Sequence, residues 1–316
     1  MSDETRGATV LEARLPGLRR LEDLLTRLAR KYGDLKGKIE MSLRPDVSLA
    51  DIGGLANAKR EIEGLVVALR APEVHQHWGT RPPKGTILYG PPETGKTLLA
   101  RALAREAEAV FFHVRVANVV SKWLGDAGEV LQEVFAGLRE NGRVILYFDE
   151  IGALALDRQF GPELHTVSRR ILNAVVENLD NLEAYAQILI VASTIRPDSL
   201  DPALVTPGRL DRIIEVPLPE SDEKREIFHI HQAKAEEAAG RSLFAGLDYD
   251  AILARTGKMS GGDIAEVVRR ALEEKVRLEA AGHPAESVTT QDLLVAIEQH
   301  RRIKEVLEKI RYGQYL

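Results

Sequence analysis

Two groups of residues in this chain have the types and spacing to do chemistry. The first is Gly90-Pro91-Pro92-Glu93-Thr94-Gly95-Lys96-Thr97, which fits the pattern GxxxxGK[ST]. Backbone N–H groups of such a loop wrap a polyphosphate, and the helix that follows adds the partial positive charge of its N-terminus. In this arrangement Lys96 reaches the β- and γ-phosphates, and the Thr97 hydroxyl holds Mg2+. The second group is Asp149-Glu150, two acids that close an apolar run, Val144-Ile145-Leu146-Tyr147-Phe148. A strand-terminal Asp can hold the hydration shell of Mg2+, and the next carboxylate can orient or deprotonate an attacking water.

These groups need elements to hold them. Thr86-Ile87-Leu88-Tyr89 reads as a short buried strand entering the loop, and residues 98–104 read as the helix leaving it. Further strands are expected at residues 110–114, 144–148, 188–192 and 213–216. All are continuous apolar or β-branched runs separated by helical patterns, the signature of a parallel sheet covered on both faces. In such a sheet ligands bind at the carboxyl edge, where both groups fall. From about Pro219 strand signals stop, and residues 221–239, 249–255, 262–281 and 290–310 read as helices. The expected fold class is α/β: a parallel P-loop sheet with helices on both faces, a small all-α lid, and a short N-terminal helix. The expected domains are residues 1–42, 43–218 and 219–316.

In the N-terminal segment Leu18, Leu21, Leu25, Leu28, Tyr32, Leu35 and Ile39 alternate steps of three and four. That seam fits either a coiled coil or an amphipathic helix packed on the next domain. Leu43-Arg44-Pro45-Asp46 reads as a linker.

Composition narrows the function classes. The 316 residues carry 43 basic and 48 acidic side chains, a formal charge of −5, so nothing argues for a nucleic-acid partner. The chain has no cysteine, which removes disulfides, thiol catalysis and cysteine-ligated metal. No apolar run reaches the length of a membrane span, and Met1-Ser2-Asp3-Glu4 lacks the shape of a signal peptide, so a cytoplasmic location is expected.

From Leu49 to the last helix the chain resembles an AAA-family ATPase. The residues that carry this are the phosphate loop; Asp51-Ile52-Gly53-Gly54-Leu55; Tyr147-Phe148-Asp149-Glu150; the run from Arg196 to Leu204; Pro207-Gly208-Arg209-Leu210-Asp211; and Ser260-Gly261-Gly262-Asp263-Ile264. The resemblance implies ATP or ADP with Mg2+ as cofactors, and a ring, usually a hexamer, with nucleotide at each subunit boundary. Asp51, Ile52 and Gly53 would lie against adenine. Pro91, Pro92, Glu93, Thr94, Gly95, Lys96, Thr97 and Leu98 would hold phosphate, with His231 and Gly261 contributing from the lid. Thr97 and Asp149 would hold the metal, Glu150 and Lys96 would act in catalysis, and Arg209 would reach the neighbour's γ-phosphate. Lys122, Trp123 and Leu124 resemble a pore loop whose aromatic grips an extended polypeptide. The ending Gly313-Gln314-Tyr315-Leu316 is similar to the tail of bacterial proteasome-associated ATPases, where a penultimate tyrosine docks on the proteolytic core particle.

Three positions depart from the family pattern. Glu93 stands at a usual glycine, Ile195 at the asparagine that touches γ-phosphate or water, and Thr206 at the usual first arginine finger. Two functions therefore stay open: a protein-unfolding ring ATPase that threads substrate past Trp123, with a protease as one destination, and a regulatory ring subunit that binds nucleotide and hydrolyses it poorly.

Overall fold

The computed structural model describes residues 19–33, 38–122, 127–138, 142–155, 162–182, 187–284 and 286–311. Within them the chain forms two compact units. The first comprises Met1–Leu49, Asn57–Gly90 and Lys96–Glu215; the second comprises Ala50–Ala56, Pro91–Gly95 and Val216–Leu316.

The first unit is built on a six-stranded sheet. Its strands are β1 (Ile39–Ser42), β2 (Gly85–Tyr89), β3 (Val110–Arg115), β4 (Val144–Asp149), β5 (Ile188–Thr194) and β6 (Arg212–Glu215), in the order β1-β3-β4-β5-β2-β6. Every pairing is parallel except β1 with β3, where Ile39 lies opposite Val114. All seven residues of β5 and the first five of β3 and β4 are buried, as strands covered on both faces must be. The helices that accompany the sheet include α1 (residues 19–32), α2 (Ala56–Arg70), α3 (Pro72–His77, with no buried residue), α4 (Lys96–Glu106), α5 (Val116–Lys122), α6 (Ala127–Leu138) and α7 (Pro162–Asp180). The expected strands and the helix after the phosphate loop are all present, at the expected places.

The N-terminal seam needs a correction. Helix α1 stops at residue 32, and Ile39, assigned to the same seam, lies in β1. Gly33 adopts φ 82°, a left-handed conformation that ends a helix readily. Leu21, Leu24 and Leu28 are buried in the core of the first unit, with Leu25, Ala29 and Tyr32 packed against it. Gly137 on α6 makes that seating possible, since a Cβ there would lie 2.4 Å from Leu24 Cδ2. Lys31 Nζ and Tyr32 Oη donate to Glu133 on α6 at 2.6 and 2.8 Å. The apolar face is thus spent on the domain, the packed-helix alternative. Leu18 and Leu35 lie outside the described residues.

The second unit holds α8 (Ser221–Ala239), α9 (Tyr249–Thr256), α10 (Gly261–Ala280) and α11 (Thr290–Arg311) around Phe228, Ile252, Met259, Ile264, Val267, Leu293 and Ile297. Caps fix the helix ends. Glu220 and Glu223 form a capping box on α8, Ser260 and Asp263 one on α10, and Asp248 caps α9. Asp263 is completely buried and also accepts from His300 Nε2 (2.7 Å) and Lys304 Nζ (2.6 Å) on α11. A short parallel bridge, Phe244 with Val288, was not expected from sequence. Among the described residues no helix is long and apolar enough to cross a membrane.

Candidate functional site

The first unit gathers its reactive side chains at the carboxyl ends of β2, β4 and β5. β5 lies between the other two strands, with Tyr89 in register with Thr194 and Phe148 with Ala192. Lys96 opens α4 and is buried, its Nζ donating to the Gly90 carbonyl at 2.9 Å. Burial lowers the Lys96 ammonium from its usual range, while the Glu150 and Asp149 carboxylates oppose that shift.

Asp149 is the best-held carboxylate of the group. One oxygen, Oδ1, accepts from Ser193 Oγ at 2.8 Å and from Tyr147 Oη at 3.1 Å. The other lies 3.3 Å from His113 Nε2. Burial alone would raise Asp149, but the bonds from His113, Ser193 and Tyr147 hold it below its usual range. Tyr147 Oη also lies 3.0 Å from Thr97 Oγ1, so the two oxygen groups expected to meet a metal are already linked by one hydroxyl.

Glu150 is turned out of the strand at φ 55°, a costly conformation for a non-glycine residue. Its N–H donates to Ser193 Oγ at 3.0 Å, and its carbonyl accepts from Ala153 N–H at 2.9 Å. Burial pushes its carboxyl up, against the Lys96 charge and a hydrogen bond from the Ile195 backbone. The side chain of Ile195 carries no polar group and is 39% exposed, yet its main chain serves Glu150.

A hard-oxygen pair such as Thr97 and Asp149 suits magnesium, which keeps waters and takes one or two protein ligands plus substrate phosphates. Among the described residues no group of three or more His, Cys, Asp or Glu that could hold a metal occurs.

Arg209 is paired within the chain. Its Nε and Nη2 grip the two oxygens of Asp180, at the end of α7, at 2.6 and 2.7 Å. Thr206 spends its hydroxyl on the Pro202 carbonyl at 3.1 Å.

The second unit brings the remaining expected residues together. The Gly54 and Leu55 N–H groups donate to Glu226 and Glu223 on α8, both at 2.7 Å. Asp51 pairs with Lys234 at 2.8 Å, and Ile52 is buried. His231 lies on the same face of α8 as Ile227 and Lys234, one turn from each. Burial and the Lys234 charge push its imidazole down, favouring the neutral ring.

Of the loop residues in this unit, Thr94 is buried and donates to the Pro91 carbonyl at 3.0 Å, while Pro91, Pro92 and Glu93 are exposed. Glu93 sits at φ 59°, the left-handed backbone for which glycine is the cheaper residue. Its carbonyl accepts from Gly262 N–H at 3.1 Å, and its carboxylate lies 3.5 Å from Ser260 Oγ. Gly262 is bare for a reason: a Cβ there would fall 2.8 Å from Glu93 Cβ. Gly261 is the first residue of α10. Leu98, on α4 in the first unit, is exposed.

Lys122 closes α5, and Trp123, Leu124, Tyr315 and Leu316 lie outside the described residues. Sequence reasoning missed Tyr147, Ser193 and His113. The signal for Tyr147 was its place two residues before Asp149, on the same face of the strand.

Comparison with known proteins agrees with this geometry. Residues 86–218 match the family model for the ATPase family associated with various cellular activities. The proteasome-activating nucleotidase of Aeropyrum pernix is 35% identical over 306 residues, 96% of this chain and 68% of that protein. That of Saccharolobus solfataricus is 34% identical over 97% of this chain and 72% of the relative. The cell division cycle protein 48 homolog of Archaeoglobus fulgidus is 35% identical over 84% of this chain, which spans 37% of its length. Loop lysine, strand-end carboxylates and nearly full-length likeness converge: the chain belongs to the ATPase family associated with various cellular activities (AAA).

Proposed function

We propose that this chain is a subunit of a cytoplasmic, hexameric, Mg2+-dependent ATPase ring that unfolds protein substrates and threads them through its pore toward a proteasome-like protease. The observation that carries the reading is the cluster of Lys96, Thr97, Asp149 and Glu150 at the carboxyl edge of the sheet. Relatives named proteasome-activating nucleotidase, 34–38% identical, support the protease partner and favour turnover over a silent regulatory role.

Each residue has a task. The loop amides and Lys96 hold the polyphosphate, and Asp51, Ile52, Gly53, His231 and Gly261 hold the nucleoside. Thr97 and Asp149 hold magnesium, which when bound neutralises charge between the phosphates. Glu150, fixed by Ser193 and the Ile195 N–H, orients the attacking water and takes its proton. Arg209 of a neighbouring subunit supplies positive charge to the transition state. Lys122, Trp123 and Leu124 grip substrate, with contact area rather than specific hydrogen bonds giving tolerance of sequence. Tyr315 and Leu316 dock on the protease. Residues 1–42, 43–218 and 219–316 act as N-terminal helix, nucleotide-binding domain and lid.

Phosphate release from Mg-ATP tests the reading. Removing a general base costs about 10²–10⁴ in rate, so Glu150→Gln is expected to lower turnover by at least about 100-fold while ATP binding persists. Turnover that is absent in the unaltered protein, or untouched by Glu150→Gln, would overturn it.

A further inference from the structure

Tyr147 is completely buried in β4 and stacks on Phe111, with ring centroids 5.7 Å apart. Packing alone would be served by phenylalanine. The hydroxyl instead sits between Thr97 Oγ1 at 3.0 Å and Asp149 Oδ1 at 3.1 Å. A buried hydroxyl placed between two metal-binding groups, and bonded to both, has a direction that elementary chemistry fixes.

Asp149 takes hydrogen bonds from Ser193 and Tyr147 and faces His113, and a carboxylate there offers acceptors only. Tyr147 has one proton, and the carboxylate is its stronger acceptor. Toward Thr97, therefore, the phenol oxygen is the acceptor and Thr97 is the donor. The order is Thr97 O–H to Tyr147 O, then Tyr147 O–H to Asp149 Oδ1. This polarity points the threonine proton away from any cation and leaves the lone pairs of Oγ1 unclaimed by the contact.

We propose that Tyr147 is a positioning residue for the divalent cation: its hydroxyl ties the loop threonine to the strand-end aspartate and fixes the Thr97 proton so that the oxygen is ready to coordinate. The inference rests on the magnesium-nucleotide reading above and deepens it. Ser193 and His113 hold the same carboxylate, and neither has a hydrogen bond to Thr97 among the described contacts. The link to the threonine is therefore assigned to Tyr147.

The test measures ADP affinity calorimetrically, in MgCl2 and in EDTA, for the full chain and for Tyr147→Phe, Ser193→Ala, Thr97→Ala and the Tyr147→Phe/Thr97→Ala double variant. A lost hydrogen bond of this kind is worth about two- to tenfold in an equilibrium. Tyr147→Phe is expected to weaken the magnesium-dependent gain in affinity by about that factor, with EDTA affinity unchanged. In the Thr97→Ala background the same change is expected to cost clearly less, because only the bond to Asp149 remains to be lost. Tyr147→Phe removes a single oxygen and keeps the ring; thermal unfolding checks its fold, and the Ser193→Ala arm reads the Asp149 contribution independently. Fully additive losses in the double variant, or equal falls in MgCl2 and EDTA, would each overturn the proposal. An unaltered protein that binds ADP no better with magnesium would overturn the magnesium reading itself, and this proposal with it.

Discussion

Glu93 shows how much a single backbone angle constrains. At φ 59° a side chain with a Cβ is strained by about 1–2 kcal/mol, and glycine is not. The glutamate offsets part of that cost by resting its side chain against Gly262 and Ser260. Glu93→Ala keeps the strain and loses the contact, whereas Glu93→Gly loses both. Glu93→Gly is therefore expected to be more stable than Glu93→Ala by about 1 kcal/mol in denaturant unfolding. The reverse order would mean that the loop backbone is not left-handed there. Ile195 teaches a related lesson. A side chain unable to serve the phosphate still leaves a main-chain N–H that serves Glu150, so residue type alone does not settle whether the site is disabled.

At the scale of elements, α1 is a structural helix of the first unit. Leu28 is fully buried in that core, and truncating such a residue costs about 2–5 kcal/mol. Leu28→Ala is expected to lower the thermal stability of the first unit by that amount at any protein concentration. A coiled-coil role would instead show as a concentration-dependent loss of assembly with little change in unfolding.

In the second unit, Asp263 joins the N-terminus of α10 to α11. Burial would raise its carboxyl, but bonds from Lys304, the Ser260 backbone and His300 dominate and hold it at about 2. An acid depressed below its unfolded value stabilises the fold above the unfolded value of about 3.9, and that contribution is lost as pH falls through the folded one. The second unit is therefore expected to lose about 2 kcal/mol between pH 4 and pH 2. This acid limb should be missing in Asp263→Asn, as read by unfolding at a series of pH values.

The role proposed for Arg209 belongs to the whole assembly. Within one chain it is closed onto Asp180, so a γ-phosphate contact requires the arginine to leave that pair for a neighbour's site. Arginine fingers are worth about 10³–10⁵ in rate, so Arg209→Ala is expected to be nearly inactive, as is Glu150→Gln. Mixing the two inactive proteins separates cis from trans action. In a randomly mixed ring roughly a quarter of the sites combine an intact Glu150 with an intact neighbouring Arg209. Recovery of turnover on mixing is expected, and a mixture as inactive as its parts would show that the arginine does not act across a subunit boundary.

The local patterns of the chain determined much of this protein. Loop glycines, a lysine-threonine pair and an apolar strand ending in two acids are short-range signals, and strand alternation and helix caps are local as well. They placed β2 to β6, the four helices of the second unit and the reactive group at the sheet edge. Long-range packing decided the rest. A heptad seam cannot say what covers it, and only Leu24 seated against Gly137 does. The strand at Ile39 exists because β3 offers it an open edge. Tyr147, an apolar residue by its strand pattern, became part of the site only because β4 and the start of α4 bring its hydroxyl between Thr97 and Asp149. Hydrogen-bond direction depends on which atoms meet, and residues 50 positions apart meet only in the folded molecule.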